Sequence, residues 1–167
     1  MAREYAFVTS WRFDAVPEEV WDVIVDSHAW PRFWPYVARV EDLAPGDANG
    51  IGSVRRYTWT SRLPYRLAFD LRVTKVEKPR LLEGEATGEL EGLGRWTLTP
   101  EGTGTLVRYD WIVRTTKAWM NLLAPLARPA FAWNHDGVMA AGEKGFREEL
   151  ARRALSARAV RPSSAAS

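Results

Sequence analysis

The chain has 167 residues, of which 46 % are hydrophobic and 26 % charged, with a formal net charge of +2. This length suits one domain, and this composition excludes a chain that is disordered throughout. The small net charge does not indicate a nucleic-acid or anionic-membrane partner, and the lack of cysteine excludes disulfides, thiolate nucleophiles and cysteine metal sites.

The N-terminal segment, Met1–Asp14, is charged and lacks the apolar core of a signal peptide. No apolar run approaches the roughly 18 residues that a membrane-spanning helix needs. The sequence therefore predicts a cytoplasmic protein.

The first elements are a strand and two short helices. Residues 4–14 alternate, and the aromatic side chains on one face indicate a strand with one buried side. Pro17, followed by two glutamates, predicts a helix ending near Asp26, because proline suits the first turn and acids favour the positive helix end. Ser27 is the predicted N-cap of a second short helix.

Strands and turns fill the middle of the chain. Connections as short as these force antiparallel neighbours, because a parallel crossover needs about a dozen residues. The stretch containing Gly92 and Gly94 is predicted to be one of the turns. With the first strand, this predicts a seven-stranded antiparallel meander. The six further strands are predicted at Val37–Ala44, Ser53–Ser61, Tyr65–Glu77, Arg80–Gly88, Arg95–Thr99 and Thr105–Thr116.

A long amphipathic helix is predicted near the C-terminal end. Residues recurring at intervals of three or four indicate one face of a helix of about five turns. Pro125 and Pro129 are predicted to interrupt the approach to it. Beyond Leu155 the periodicity ends, so residues 1–155 are predicted to form the domain and residues 156–167 a disordered tail. The helix face consists of Phe131, His135, Met139, Gly142, Phe146 and Leu150.

Four local patterns accompany this order of elements, at Val16–Trp21, Gly88–Gly92, Tyr109–Trp111 and Trp133–Asp136. Together they resemble the START/Bet v 1-like (SRPBCC) superfamily, and within it the bacterial polyketide cyclase/dehydrase-type and coenzyme Q-binding-type proteins. The resemblance covers residues 3–153. It implies an α+β helix-grip fold, in which a seven-stranded curved antiparallel sheet wraps around a long C-terminal helix, with two short helices after the first strand. It also implies an internal cavity for a lipid, a quinone or a polyketide.

A strongly twisted sheet curves away from a helix laid across it, and the space between them must hold side chains or a ligand. Nine tryptophans, six phenylalanines and five tyrosines are many for one small core, so we expect several of them to line a cavity. The alternative is that they fill a solid core. The predicted ligand-binding residues are Trp11, Arg55, Tyr57, Trp59, Phe69, Trp96, Tyr109, Trp111, Phe131, Asn134, His135 and Met139.

Two polar residues of this set carry the candidate chemistry. His135, on the predicted buried face, is the candidate catalytic residue, because an imidazole in a cavity could act as a general base near neutral pH. The alternative is a neutral core histidine bonded to a backbone carbonyl or to a neighbouring Tyr or Asp. Arg55 shares a strand face with Tyr57 and Trp59, so it could pair with a ligand carboxylate, phenolate or enolate. Its alternative is an ordinary surface arginine with a packed stem.

Three functions remain open at this point. The first is binding of a hydrophobic or aromatic small molecule, polyketide-, quinone- or lipid-like. The second is a polyketide cyclase or aromatase that uses His135 in the same cavity. The third is a ribosome- or RNA-associated module. The resemblance to coenzyme Q-binding-type proteins implies it, and arginines near the C-terminus could contact RNA, although nucleic acid is not the expected partner.

No metal and no cofactor are expected, because the chain has two histidines, no cysteine and no phosphate- or dinucleotide-binding motif. The expected state is a monomer or a homodimer. A surface patch formed by Trp30 and Trp34 is the predicted contact for a dimer.

Overall fold

Seven β-strands and three α-helices make up the part of the chain that the computed structural model describes, residues 4–160, with residues 119–128 described by their backbone alone. The strands are β1 (Glu4–Phe13), β2 (Val37–Ala44), β3 (Val54–Trp59), β4 (Leu67–Glu77), β5 (Leu81–Gly88), β6 (Leu90–Glu101) and β7 (Gly104–Thr115). The helices are α1 (Pro17–Val25), α2 (Trp30–Phe33) and α3 (Ala118–Val160), and a 3₁₀ turn at Ser27–Ala29 links α1 to α2.

The strands form one antiparallel sheet in the order β1-β7-β6-β5-β4-β3-β2. Strands β2 to β7 follow one another as a meander, and β1 pairs with β7 from Glu4 opposite Arg114 to Phe13 opposite Thr105. The sheet curves around α3, and the two short helices follow the first strand. The predicted helix-grip fold is therefore confirmed.

Strand β6 is longer than the sequence predicted. It begins at Leu90 and runs through Gly92 and Gly94, which were wrongly assigned to a turn. A Cβ at Gly92 would collide with the backbone of Ile112 on β7, so the glycine permits the close approach of these two strands. Glycine marks a tight strand contact here and not a chain reversal.

Helix α3 is one continuous element of 43 residues, longer than the predicted one. Pro125 and Pro129 lie inside it, so the predicted interruption is wrong. Each proline removes a backbone hydrogen bond, but the flanking leucines and alanines favour helix strongly. The helix also continues past Leu155 to Val160, into the segment predicted to be disordered, and residues 161–167 lie outside the described part. Within the described residues, no helix is both long enough and apolar enough to cross a bilayer.

Aromatic side chains attach α2 and α3 to the sheet. Phe146 of α3 is fully buried, and its ring centroid lies 5.2 Å from that of Trp11 on β1. Trp34, which follows α2 and is 1 % exposed, donates a hydrogen bond from Nε1 to the carbonyl of Val138 at 2.8 Å. Trp30 is buried as well. The predicted Trp30/Trp34 surface patch is therefore wrong, because both indoles are needed to join the short helices to the core.

Candidate ligand-binding site

A first cavity, of about 160 Å³, lies between the sheet and α3. An apolar cavity of about 150 Å³ is already large enough for a benzene ring. No charged residue stands among the described residues that line it, and the wall is mainly aromatic and aliphatic. The lining comprises Tyr5, Phe7, Trp30, Trp34, Tyr57, Trp59, Thr60, Ser61, Tyr65, Leu67, Phe69, Leu71, Leu90, Trp96, Tyr109, Trp111, Val113, Thr115, Phe131, Asn134, His135, Val138 and Met139.

Three buried polar atoms in this wall have no hydrogen-bond partner among the described residues. They are the hydroxyl of Tyr5, Nε1 of Trp59 and Nδ1 of His135, and the one other such atom in the described chain, on Thr74, lies away from the cavity. A buried polar atom without a partner costs about 1–3 kcal/mol. Trp59 can only donate, whereas Tyr5 and His135 can donate or accept. This wall therefore suits an apolar molecule that carries oxygen acceptors.

His135 is held by stacking and by burial. Its imidazole stacks on Phe7 of β1, with ring centroids 4.1 Å apart and an angle of 12° between the planes. Burial lowers the pKa of His135, and Asp136, whose Oδ1 lies 3.7 Å from Nδ1, offsets this only in part. That distance is too long for a hydrogen bond. The side chain is therefore a neutral imidazole at neutral pH, and its Nδ1 is not bonded to the main chain.

The loop between β3 and β4 covers one side of the first cavity and is fixed to α3 by Asn134. This side chain, 7 % exposed, accepts a hydrogen bond at Oδ1 from the backbone N–H of Arg62 at 2.9 Å. Its Nδ2 donates to the hydroxyl of Tyr65 at 3.2 Å. The guanidinium of Arg62 also stacks on the half-exposed Trp133, 3.7 Å from the ring centroid. Asn134 thus sets the position of the loop as well as lining the cavity.

A second cavity, of about 420 Å³, lies beside α1 and the 3₁₀ turn. Arg55 lines it, donating from Nη1 to Ser27 Oγ (2.9 Å) and the Val25 carbonyl (3.0 Å), and from Nε to Asp42 Oδ1 (3.0 Å). The hydroxyl of Tyr57 donates to the same Ser27 oxygen at 2.9 Å. The prediction that Ser27 caps a helix is therefore wrong, because its hydroxyl accepts hydrogen bonds from side chains inside the protein.

Five residues line both cavities and separate them, namely Trp30, Tyr57, Leu71, Trp96 and Tyr109. We call this set the partition. The rings of Trp96 and Tyr109 stack with centroids 4.1 Å apart. Burial raises the pKa of Tyr109 and of Tyr57, so both phenols stay protonated at any physiological pH.

Most predicted ligand-binding residues are gathered in one place. Arg55 is the exception that lies in the second cavity. Trp11 lines neither cavity, because it packs against Trp34 and Phe146 in the core, so its predicted place at the ligand is corrected. The remaining ten line the first cavity, and their contact with a ligand stays a prediction: Tyr57, Trp59, Phe69, Trp96, Tyr109, Trp111, Phe131, Asn134, His135 and Met139.

Two tyrosines of the first cavity were missed by sequence reasoning. Tyr5 lies on the inner face of β1, and the alternation of that strand was the signal that could have found it. Tyr65 precedes β4 in a loop without periodicity, although the sequence analysis placed it in a strand. Its position depends on the contact with Asn134, which no local pattern indicates.

The arginines near the end of α3 are largely paired within the protein. Glu149, 5 % exposed, accepts hydrogen bonds from Arg152 at 2.7 Å and from Arg153 at 2.8 Å, and these arginines lower its pKa to about 2. Arg153 also reaches Asp26, just after α1, at 2.6 Å. Two of the arginines that suggested an RNA contact therefore neutralise Glu149, and Arg153 also joins α3 to the end of α1.

The curved sheet packs around a long helix and leaves an apolar cavity between them, which is the arrangement of a helix-grip fold. Residues 5–157 match the family described as polyketide cyclase / dehydrase and lipid transport, and the chain belongs to that family. No curated protein sequence matches the chain.

Solved structures with this fold include three that align over nearly their whole length. The protein TTHA0849 from Thermus thermophilus is 17 % identical, with a TM-score of 0.76 over 89 % of this chain and 99 % of that one. The Zhui aromatase/cyclase from a Streptomyces species is 16 % identical, with a TM-score of 0.71 over 91 % and 96 %. A START superfamily protein from Mycobacterium smegmatis is 15 % identical, with a TM-score of 0.71 over 88 % and 97 %. At these identities the similarity establishes the fold.

Proposed function

We propose that the protein binds an aromatic, oxygen-bearing small molecule, polyketide- or quinone-like, in the first cavity. The observation that carries the proposal is an aromatic wall in which, among the described residues, no side chain is charged and three buried polar atoms have no partner. Ring surface buried against this wall contributes about 25 cal/mol per Å². Oxygens of the ligand would supply the partners that the wall lacks.

A lipid chain is the less favoured ligand. It would occupy the apolar space but leave Nε1 of Trp59 and Nδ1 of His135 without partners. The family description, which includes both polyketide cyclase and lipid transport, is compatible with either molecule. The distribution of polar atoms supports the aromatic, carbonyl-bearing one.

Calorimetric titration with acetophenone tests this proposal, because the molecule combines one ring with one carbonyl oxygen. We expect one molecule to bind per chain. The Met139→Trp variant should not bind it, because the indole would fill the cavity that Met139 lines. The control Met139→Leu conserves the side-chain volume and should bind as wild type does. Equal binding by both variants would place the probe elsewhere and refute the proposal.

A second candidate is a cyclase or aromatase working in the same cavity. The observation that favours it is the neutral imidazole of His135, with its pKa lowered by burial and no hydrogen bond to Nδ1 from the described residues. Such a group can take a proton from the carbon next to a ligand carbonyl, while a donor such as Trp59 Nε1 stabilises the enolate oxygen. The carbon of the bound enolate would then attack a second carbonyl held close to it, and the imidazolium of His135 would protonate the alkoxide that this forms.

Deuterium exchange at the methyl group of acetophenone isolates the first step of this chemistry. In heavy water, NMR should show faster loss of the methyl protons with wild-type protein than with buffer. His135→Leu should abolish the acceleration while acetophenone, followed in the same samples, still binds. Exchange at the buffer rate with wild-type protein would leave binding as the function.

A further inference from the structure

The two cavities share one wall, but they differ in the charge of the side chains that line them. No described residue that lines the first cavity is charged, whereas Arg55 and Lys78 line the second. Glu83, the acidic residue among the described residues of the second cavity, is paired with Arg95 at 2.6 Å, and Lys78 is paired with Asp22 at 3.5 Å. The second cavity therefore combines an apolar wall with the guanidinium of Arg55.

Hydrogen bonds fix the guanidinium of Arg55 at the second cavity, where a ligand anion could contact it. Ser27, the Val25 carbonyl and Asp42 accept hydrogen bonds from its Nη1 and Nε, and no bond from Nη2 is present within the described residues. Its side chain is 31 % exposed, whereas that of Asp42 is 65 % exposed and also contacts His28 at 3.0 Å. Water screens the Asp42 charge more strongly, so Arg55 keeps part of its attraction for an anion.

Hydrogen bonds fix some side chains of the partition but not others. Trp30 donates to the carbonyl of Val23 at 3.1 Å, and Tyr57 donates to Ser27. Trp96 and Tyr109 make no side-chain hydrogen bond to the described residues, although Trp96 is buried and Tyr109 partly buried. No hydrogen bond within the described residues therefore opposes a movement of the Tyr109 side chain, which stacks on Trp96 at the wall that the two cavities share.

We propose that the two cavities form one two-chamber site for an elongated amphipathic acid, with the ring in the first cavity and its anionic group beside Arg55 in the second. The proposal rests on the proposed function, since it uses the first cavity for the ring. It adds an anion-binding chamber at the other side of the partition. The shared wall and the one-sided charge are the two observations that carry it.

Calorimetric titration with 8-phenyloctanoate and with its methyl ester tests the charge requirement. The acid should bind wild-type protein about tenfold more tightly than the ester, the usual gain from a charge-assisted hydrogen bond. Arg55→Met should remove this difference, and Arg55→Lys should keep most of it. The control Arg114→Met should keep all of it, because Arg114 is paired with Glu91 on β6, away from both cavities.

Acetophenone, which needs only the first cavity, separates the two proposals. If acetophenone binds but the acid and the ester bind wild-type protein equally, the second chamber is refuted and the proposed function stands. If acetophenone does not bind wild-type protein, the proposed function is refuted, and the two-chamber site that rests on it is refuted as well. An acid preference that falls equally in the Arg55 and Arg114 variants would indicate a general charge effect, and would also overturn the anion site. Should Arg55→Met fail to fold, the wild-type comparison and Arg55→Lys decide the question.

Discussion

The imidazole of His135 on α3 lies parallel to the ring of Phe7 on β1, with 4.1 Å between their centroids. The stack places a polar ring between the sheet and the helix at the edge of an apolar cavity. Nothing in the described structure satisfies Nδ1, so this side chain weakens the empty fold. Such a cost is expected where a ligand completes the hydrogen bonding.

Replacing His135 by leucine should therefore separate stability from binding. We expect the free energy of unfolding in urea to rise by about 1 kcal/mol, because an unsatisfied buried polar group is lost. The affinity for acetophenone should fall about tenfold, while that for ethylbenzene, which has no carbonyl, should change little. A loss of more than about 2 kcal/mol in stability would instead show that His135 has a structural role.

Asn134 should control the loop that covers the first cavity. Asn134→Ala removes the bonds to the Arg62 backbone and the Tyr65 hydroxyl, and should cost about 1–2 kcal/mol. Amide hydrogen exchange should become faster in residues 61–66, and both association and dissociation of acetophenone should accelerate. Asn134→Asp keeps the acceptor for Arg62 and should show a smaller change. Unchanged exchange in this loop would contradict the role given to Asn134.

Glu149 should make the free energy of unfolding depend on pH in the acid range. Arg152 and Arg153 lower its pKa in the folded protein from 4.5 to about 2. The unfolded chain therefore takes up a proton first, and the stabilisation, complete above about pH 4.5, is lost as the pH falls towards 2. Glu149→Gln should cost about 1–3 kcal/mol at pH 7, and progressively less in urea titrations at lower pH.

The matched control for this prediction is Glu148→Gln. Glu148 is exposed, and its nearest cation, on Lys144, is 4.0 Å away. Its replacement should change stability little at any pH. If both variants lose stability equally, the pairing of Glu149 with Arg152 and Arg153 is not the cause.

Two glycines of α3 should respond to alanine in opposite directions. Alanine favours helix over glycine by about 1 kcal/mol. At Gly142 a Cβ would overlap the buried ring of Trp34, so Gly142→Ala should lower the melting temperature. At Gly137 the Cβ meets the flexible Arg62 side chain, which can move aside with the loss of its stack on the half-exposed Trp133, so Gly137→Ala should raise it slightly. Thermal unfolding by circular dichroism measures both, and equal shifts would refute the packing around Trp34.

The fold was predictable because its signals are local. The alternation of β1, the short turns between strands and the three-to-four spacing of α3 are each written in neighbouring residues. The predictions from Gly92 and the two prolines were wrong because neighbouring residues decide the effect of each. Strand β7 approaches Gly92, and strong helix formers surround Pro125 and Pro129.

The sequence predicted which strand and helix residues face inward, but not how these residues are arranged around the cavities. Strand and helix periodicity selected residues that point inward, and most of them line the first cavity. Trp11 lies in the core and Trp59 lines the first cavity. Periodicity could not distinguish these two positions, because both residues lie on inward faces. The division into two cavities, and the place of Arg55 in the second, depend on Ser27 and Tyr57, distant in sequence from each other.

The most direct test of the account is to locate acetophenone in the protein by NMR. With the methyl groups labelled, the aromatic protons of the bound probe should show nuclear Overhauser effects to the methyls of Met139, Val113 and Leu90, which line the first cavity. Effects confined to exposed methyls such as those of Leu155 and Val160 would contradict it, because the molecule would then bind the surface and not the interior.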